Sequence, residues 1–502
     1  MTAEQTHFPI IVIGAGFGGL GMAARLKKEG RNDFVILERS DEVGGTWQAN
    51  TYPGCQCDVP SHLYSLSFAP NPEWTRTYSK QPEIWKYLQK VADDHGLRPH
   101  LRLGTTLLGA TWDEEQMLWH LDTSAGPMTA KVLISAPGGL SEPTIPDVPG
   151  LADFPGKIFH SARWDHSYDL TGKRVAVIGS GASAIQFVPR IQPEVEQMHV
   201  LQRTPPWILP HGDRPIPLLQ RAIYRRFPFI QKAIRSGIYW SREFLVLGLV
   251  FDSRLLGILQ RVAEAHLRRQ VQDPDLRAKV TPDYTIGCKR ILPSNKWYPA
   301  LSQPNVELVP SGLAEVRGST VVAADGTEAE VDTIIMGTGF HVTDLPWAAN
   351  VKGQGGRTLD QAWDGSPQAY LGAAIAGFPN HFALLGPNTG LGHTSVVYMI
   401  EAQIHYVMDA IRRMDSLDVE SVEVRQEVQD AYNRELQTRM AGTVWNTGGC
   451  QSWYLDKNGR NTTLWPEFTW RYRLRTRRFD EGDYVLAKAG SAAPAETVAV
   501  NA

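Results

Sequence analysis

Two glycine-rich loops constrain the fold of this chain more than any other feature. Each follows a short apolar run (Ile10–Ile13 and Val175–Ile178), and each precedes a helix-like stretch; they read Gly14-Ala-Gly16-Phe-Gly-Gly19 and Gly179-Ser-Gly181-Ala-Ser-Ala184. Glycines placed in this way allow a tight turn, close approach of the backbone to a pyrophosphate, and contact between helix and sheet. The loops therefore predict an α/β fold with two Rossmann-like dinucleotide-binding domains.

The residue that ends the second strand of each unit differs in charge. Glu38 follows the predicted strand Phe34–Leu37 and Arg203 follows His199–Gln202, each 24 residues after the first glycine of its loop. A carboxylate at Glu38 can accept hydrogen bonds from a ribose diol. A guanidinium at Arg203, together with Thr204, can bind a 2′-phosphate. The first unit is therefore predicted to bind FAD and the second NADPH; the alternative for Arg203 is a solvated surface charge.

Two predicted crossings divide the chain between these units. The first is Ser135–Gly138 with the proline-rich run that follows it, and the second is Asp332–Gly339. The NADP-binding domain is thus predicted to be inserted into the FAD-binding domain and to carry a helical subdomain. We expect the FAD-binding domain in 1–143 and 337–486, the NADP-binding domain in 144–336 with a helical insertion at about 210–285, and a disordered tail in 487–502.

A short connector, Phe154–Asp165, runs between the two loops. The connector places the imidazole of His160 and the indole of Trp164 close together in the sequence. We predict that His160 and Trp164 form a joint between the two nucleotide sites.

Charge and hydropathy exclude several classes of partner. A formal net charge of -3 gives no electrostatic reason to expect nucleic acid. The apolar stretch Phe244–Phe251 is far shorter than the roughly 20 residues that span a membrane. We predict a core helix there; a lid or an apolar substrate entrance is the alternative.

The cysteines are Cys55, Cys57, Cys288 and Cys450. They are few and scattered, so no disulfide framework is expected, and Cys55-x-Cys57 is one residue short of a zinc or redox pair. We expect reduced, buried thiols in a cytoplasmic enzyme, and no metal site.

Three longer patterns carry a resemblance to a known family. They are Phe154-x-Gly156-x-x-x-His160-x-x-x-Trp164-Asp165, the run from Gly44-Gly45-Thr46-Trp47 through Tyr52-Pro53-Gly54 to Asp58, and Gly287-Cys-Lys289-Arg290. Together they resemble the Baeyer–Villiger monooxygenases, flavoproteins that insert one atom of O2 beside a ketone carbonyl. The resemblance implies that NADPH reduces FAD, that a flavin C4a-peroxide forms with O2, and that a small apolar ketone becomes an ester or lactone. It also implies that sulfides are oxidised, and it leaves the oligomeric state open.

The resemblance assigns roles to individual residues. Arg290 is expected to hold the peroxide ionised, and Asp58 to orient Arg290. Lys289 is expected to join Arg203 at the 2′-phosphate, and Trp453 to contact the nicotinamide ribose. The loops and the resemblance together place the following residues near the cofactors: Gly14, Gly16, Phe17, Gly18, Gly19, Glu38, Arg39, Gly45, Thr46, Trp47, Gln56, Cys57, Asp58, Tyr64, Leu107, Gly179, Ser180, Gly181, Ala182, Ser183, Ala184, Gln186, Thr204, Arg290, Gly386 and Val396.

Three other readings share the two dinucleotide units. A flavin-containing monooxygenase that oxygenates nitrogen or sulfur would use the same loops. A non-catalytic flavoprotein that senses NADPH would bind the cofactors without consuming NADPH in response to a ketone. A dithiol reductase needs a cysteine pair on the helix after the first loop, and the sequence has none there.

Overall fold

The computed structural model describes residues 6–488 of the chain. The disordered tail was predicted for 487–502, but Ala487 is the last residue of a strand, Tyr484–Ala487, that pairs with Ser421–Val424. The part of the predicted tail beyond Lys488 lies outside the described residues.

The described residues form β-strands that are separated in places by α-helices. In chain order they are β1 His7–Ile13, β2 Phe34–Leu37, β3 Leu101–Arg102, β4 Leu107–Asp113, β5 Leu118–Thr123, β6 Met128–Ser135, β7 Lys157–His160, β8 Arg174–Ile178, β9 Gln197–Leu201, β10 Ile208–Leu209, β11 Leu292–Pro293, β12 Val306–Val309, β13 Leu313–Arg317, β14 Thr320–Ala323, β15 Glu328–Glu330, β16 Thr333–Met336, β17 Val351–Lys352, β18 His381–Ala383, β19 Ser421–Val424 and β20 Tyr484–Ala487.

The α-helices follow the same order. They are α1 Phe17–Lys28, α2 Thr46–Ala49, α3 Gln81–Asp94, α4 Ala184–Ile191, α5 Leu218–Arg226, α6 Pro228–Glu243, α7 Gly257–Gln270, α8 Pro274–Lys279, α9 Trp297–Leu301, α10 Leu359–Trp363, α11 Val396–Leu417, α12 Gln426–Ala441, α13 Val444–Thr447 and α14 Thr469–Arg475.

The first sheet has the strand order β17-β4-β5-β6-β1-β2-β3, and β18 pairs with β6. Strand β1 is nearly all apolar and runs parallel to both β2 and β6, as expected for a strand covered on both faces. Helix α1 crosses from β1 to β2 and packs closely on α11. A Cβ at Gly21 of α1 would lie only 2.9 Å from Ile404 Cδ1.

The second sheet is parallel throughout, with the order β12-β9-β8-β16-β7. Its strands lie in the chain between β6 and the returning strands β17 and β18 of the first sheet. The predicted fold class, with one dinucleotide-binding unit inserted into the other, is therefore confirmed. Helices α5 to α8 lie between β10 and β11 and form the helical insert.

The stretch Phe244–Phe251 was predicted to be a core helix, and the structure confirms only part of that prediction: most of the stretch is helical, but not all of it is buried. Helix α6 ends at Glu243, and Leu247–Phe251 forms a single π-helical turn. Val246 and Leu249 are buried, but Phe244 and Phe251 are 70% and 58% exposed. Apolar composition alone did not reveal which side of the turn faces outward. Within residues 6–488, no helix combines the length and the apolar character needed to cross a bilayer.

Candidate active site

The first glycine-rich loop is packed backbone against backbone. Gly14 has a φ of +97°, and a Cβ there would lie 2.6 Å from the carbonyl oxygen of Ala136. Gly45 has a φ of +51°, and a Cβ there would lie 3.1 Å from Gly16 Cα. Side chains at these positions would force the segments apart, so the glycines keep bare backbone at the loop, as a bound pyrophosphate requires.

Glu38 is fixed beside this loop. Its buried carboxylate accepts hydrogen bonds from Ala15 N at 2.7 Å and from Ser40 N at 2.9 Å. The neighbouring Arg39 turns away, forms an ion pair with Glu142, and donates to the carbonyl oxygen of Ser141 at 3.0 Å. Arg39 thus joins the loop region to the crossing between the domains.

The segment before Leu107 lies at the same strand end. Thr105 N donates to the carbonyl oxygen of Glu38 at 2.9 Å, and Leu107 begins β4, paired with Thr123. Leu107 is therefore close to the end of β2, where an adenosine is expected.

An aromatic cluster follows the Gly44-Gly45 turn. Thr46 begins α2, and Trp47 Nε1 donates to the hydroxyl of Tyr64 at 3.1 Å. The edge of Tyr64 packs against Phe17, with ring centroids 5.1 Å apart. The hydrogen bond between Trp47 and Tyr64 and the contact of Tyr64 with Phe17 hold Trp47 and Tyr64 in fixed orientations beside the first loop.

The second glycine-rich loop has the same construction with an open side. Gly179 has a φ of +105°, and a Cβ there would lie 2.5 Å from the carbonyl oxygen of Gly337. At Gly181 a Cβ would meet nothing within 4 Å, and Ala182 is exposed. Ser180 Oγ donates to the carbonyl oxygen of Thr204 at 3.5 Å, which joins the loop to the end of β9.

Gln186 joins the two dinucleotide units. It accepts a hydrogen bond from Gln56 N at 3.0 Å and donates one to the carbonyl oxygen of Gln56 at 3.0 Å. The hydroxyl of Tyr52 also donates to Gln186 at 3.2 Å, and Tyr52 interacts with Ser183 of the second loop as well. Helix α4, which begins at Ala184, is thereby tied to the segment that leads to Asp58.

Two cations meet beyond the second loop. Burial lowers the pKa of Lys289, and the charge of Arg203 lowers it further, while Asp283 acts in the opposite sense. Arg203 is exposed, and Lys289 lies 5.2 Å above the ring of Tyr284. An anion placed between two such cations would be stabilised by both, so the pair suits the 2′-phosphate of NADPH.

Arg290 and Asp58 form a two-pronged ion pair. Arg290 Nε donates to Asp58 Oδ2 at 2.6 Å, and Nη2 donates to Oδ1 at 2.7 Å. Nη1 donates to the carbonyl oxygen of Leu391 at 3.2 Å. Both residues lie deep in the protein, yet 28% and 22% of their side chains remain accessible. Because the ion pair lies deep in the protein and yet remains accessible, we infer that it lines a cleft.

The charges of this pair are mutually stabilised. Burial alone would raise the pKa of Asp58, but the charge and hydrogen bonds of Arg290 outweigh it and lower that pKa. Burial alone would lower the pKa of Arg290, but Asp58 outweighs it and raises that pKa. Arg290 is therefore a permanent cation in the cleft.

Sequence reasoning missed two residues beside this pair. Arg242, near the end of α6, donates to the hydroxyl of Tyr78 at 3.1 Å, and its charge lowers the pKa of Asp58. Tyr454 is buried, and within residues 6–488 its hydroxyl has no hydrogen-bond partner. Burial raises the pKa of Tyr454 to about 12, and the charge of Arg290 acts against that rise. Its place next to Trp453 was the signal that could have found it.

The C-terminal candidates surround the same region. Trp453 is 49% exposed, and its ring lies 4.5 Å from that of Tyr454. Val396 is the first residue of α11, capped by Ser395 Oγ, which accepts from Val397 N at 3.3 Å. This helix terminus begins shortly after Leu391, and a helix N-terminus favours negative charge.

Gly386 lies in the turn after β18 that leads toward this helix terminus. A Cβ there would be 2.4 Å from the carbonyl oxygen of Gly372. The close approach fixes the turn.

The connector residues lie against the second unit and the return crossing. His160 ends β7, and its ring centroid is 5.7 Å from that of Phe340. Burial lowers the pKa of His160 to about 4, so the imidazole is neutral at neutral pH. Trp164 packs edge-on against Phe159 and contacts Phe187 of α4 at 5.3 Å.

Cys288 and Cys450 form a disulfide, so the expectation that all four thiols are reduced is wrong. The pair is separated by 162 positions in the sequence, and only folding brings it together. It links the turn that carries Arg290 to the segment that carries Trp453. Cys55 and Cys57 are free and buried, as expected, and burial raises the pKa of Cys55 to about 12 and that of Cys57 well above its usual value.

Comparison with known proteins identifies relatives over nearly the whole chain. Residues 11–227 match the family model described as pyridine nucleotide-disulphide oxidoreductase. A Baeyer–Villiger monooxygenase of Streptomyces coelicolor is 54% identical over 97% of this chain and 94% of its own length. A cyclohexanone monooxygenase from Rhodococcus sp. Phi1 bound to NADP+ superposes with a TM-score of 0.85, at 29% identity over 97% of this chain and all of the other. A complex of OTEMO with FAD and NADP gives a TM-score of 0.87, at 28% identity over 96% of this chain and all of the other.

The disulfide generates a stability prediction. The double variant C288A/C450A should lose about 2–4 kcal/mol of unfolding free energy, because the unfolded chain regains the freedom of a long closed loop. Thermal unfolding of the FAD-loaded protein should therefore show a lower Tm. The wild type in reductant should approach the variant, and reductant should leave the variant unchanged. An identical Tm for all four samples would contradict the prediction.

Proposed function

The chain belongs to the Baeyer–Villiger monooxygenases, and from this premise we propose that the Arg290–Asp58 pair carries its oxygenation of a ketone. The protein is an FAD- and NADPH-dependent monooxygenase of the two-domain flavoprotein fold. The observation that carries the proposal is the accessible, two-pronged ion pair deep in the cleft.

The residues present suit both cofactors. Gly14, Gly16 and Glu38 would hold the FAD pyrophosphate and ribose, with Trp47 and Tyr64 beside the isoalloxazine. The second glycine-rich loop would hold the NADPH pyrophosphate, with Arg203, Thr204 and Lys289 at the 2′-phosphate and Trp453 at the nicotinamide ribose. Bound together, NADPH and FAD supply the hydride and the activation of O2.

Arg290 provides fixed positive charge without a transferable proton. Conversion of a ketone to an ester places negative charge on the carbonyl oxygen, and a preorganised guanidinium stabilises such charge most effectively where water is excluded. Asp58 orients Arg290 and is itself kept ionised by it. Tyr454 offers a buried, protonated hydroxyl as a further donor to the same region.

The remaining assignments follow as part of the proposal. We place the domain division at 1–143, 144–336 and 337–486, and His160 and Trp164 at the joint. A small apolar ketone and O2 are the proposed substrates, with sulfides as further substrates, and the cytoplasm as the location.

Replacing Arg290 should abolish oxygenation while leaving cofactor binding intact. We expect R290A to lose at least about 100-fold in ester formation, because a preorganised donor to developing charge is removed. R290K is the matched variant: it keeps the positive charge but loses the two-pronged ion pair with Asp58. Its rate of ester formation should therefore lie between those of the wild type and R290A. Product analysis with a ketone panel, and the FAD absorbance of the purified proteins, would check this. Wild-type ester yield from R290A would remove Arg290 from the reaction.

Arg203 should decide between NADPH and NADH. R203E places a carboxylate where a 2′-phosphate is expected, so the KM for NADPH should rise by at least about tenfold while that for NADH changes little. K289M should also raise the KM for NADPH relative to that for NADH, but by a smaller factor. Steady-state oxidation of both coenzymes measures the ratio. An unaltered NADPH-to-NADH ratio in R203E would show that Arg203 does not read the phosphate.

Tyr454 should act as a donor that does not titrate near neutral pH. Because burial raises its pKa to about 12, its hydroxyl remains protonated below that value, and the wild-type rate should show no loss attributable to it up to about pH 9. Y454F should lower ester formation by about tenfold or more with little change in Tm, since only the hydroxyl is removed. Parallel pH–rate profiles and Tm values for both proteins are the measurements; equal rates would exclude the role.

A further inference from the structure

Helix α6 is fixed to the protein by polar side chains as well as by apolar packing. Gln231 donates to the carbonyl oxygen of Asn71 at 2.7 Å, and Arg235 Nη1 donates to that of His62 at 2.7 Å. At its last turn, Glu243 accepts a hydrogen bond from the backbone N of Thr469. The contacts of Gln231 and Arg235 fix one face of the helix on the rest of the molecule, and that of Glu243 fixes its C-terminal end.

The opposite face of α6 is apolar and open to solvent. Phe229, Trp240 and Phe244 are 68%, 52% and 70% exposed. At about 100° per residue these three positions fall on one side of the helix. Helix α6 already packs an apolar stripe inward, through Ile234, Ile238 and Tyr239, as a surface helix requires. The exposed aromatic side chains are therefore additional apolar surface on its outer side.

The exposure continues along the chain into α7. Phe251 in the π-helical turn, Leu255 after it, and Ile258 in the first turn of α7 are all more than half exposed. We call Phe229, Trp240, Phe244, Phe251, Leu255 and Ile258 the outer face of the insert. Several large exposed apolar side chains within one short segment of the chain are typical of a binding surface.

The insert that carries this face is basic. Residues 218–279 contain 12 Lys or Arg and 5 Asp or Glu, a net charge of +7, whereas the whole chain carries -3 and the remainder therefore -10. Lys232, Arg261 and Arg269 are exposed, and their side chains make no ion pair or hydrogen bond with the rest of residues 6–488. By helical spacing, Lys232 borders the Phe229–Trp240 stripe, and Arg269 lies on the same side of α7 as Ile258.

We propose that the outer face of the insert docks on the surface of an anionic phospholipid bilayer. The aromatic and aliphatic side chains enter the boundary between headgroups and acyl chains, and the flanking cations meet the phosphates, as in interfacial amphipathic helices. A second copy of this chain is the poorer occupant, because two inserts that each carry a net charge of +7 repel each other.

The inner side of the same helix adjoins the cleft. Arg242 bonds to Tyr78 and acts on the pKa of Asp58, and Glu243 bonds to His393 at 3.1 Å. Docking would thus place the cleft one helix away from the lipid, where apolar ketones accumulate. This consequence rests on the proposed function; the docking itself does not.

Co-sedimentation of the FAD-loaded, full-length protein with vesicles tests the proposal. Phosphatidylcholine vesicles that contain phosphatidylglycerol should bind the protein at least about tenfold more strongly than phosphatidylcholine alone, and high salt should weaken the binding. The variant W240S/F244S/I258S should bind at least about tenfold more weakly. K232E/R261E should lose the preference for anionic vesicles.

The matched control is L108S/I145S, which removes two exposed apolar residues outside the insert and should bind like the wild type. FAD absorbance and Tm of each variant establish that it is folded. Failure of the wild type to sediment with anionic vesicles, or equal sedimentation of W240S/F244S/I258S, would overturn the proposal. So would a wild-type dimer that this variant dissociates without any binding to vesicles, because the face would then join two copies of the chain.

Discussion

The ion pair between Arg290 and Asp58 is the contact on which the cleft depends. It joins residues 232 positions apart, one in the segment after Tyr52-Pro53-Gly54 and the other in the turn after the helical insert. Leaving either charge buried without its partner would cost several kcal/mol. The two segments are therefore stable only when folded together. The same ion pair holds the adjacent insert against the FAD-binding unit. Arg235 and Glu243 of α6 form further hydrogen bonds to that unit.

Features with local causes could be predicted from the sequence. Gly14 and Gly179 take positive φ angles because the chain must turn sharply between strand and helix, and this demand is visible in the motif itself. The place of Glu38 could be predicted because it directly follows β2. In a parallel sheet the carboxyl ends of neighbouring strands lie at the same edge, so the end of β2 lies next to the first glycine-rich loop. The nested order of the two sheets also follows from the two loops and the two crossings.

Features that arise only from the folded arrangement were missed. Cys288 and Cys450 are too distant in sequence for spacing to suggest a bond, and Tyr454 gains its surroundings from Arg290, far away in the chain. The exposure of Phe244 was mispredicted for a related reason. Helix α6, which ends just before Phe244, is anchored to other segments partly by polar contacts, and composition does not tell which face those contacts will occupy.

The same scaffold of two dinucleotide units can serve thiol chemistry or oxygen chemistry, and the residues around the cleft decide between them. A dithiol reductase needs a thiolate on the helix after the first loop, but α1 contains no cysteine. The nearby Cys57 is buried, and burial raises its pKa, so its thiol stays protonated and is a poor nucleophile. The cleft instead presents a guanidinium whose pKa is raised by Asp58. Fixed charge, rather than a reactive sulfur, is what this molecule offers to a substrate.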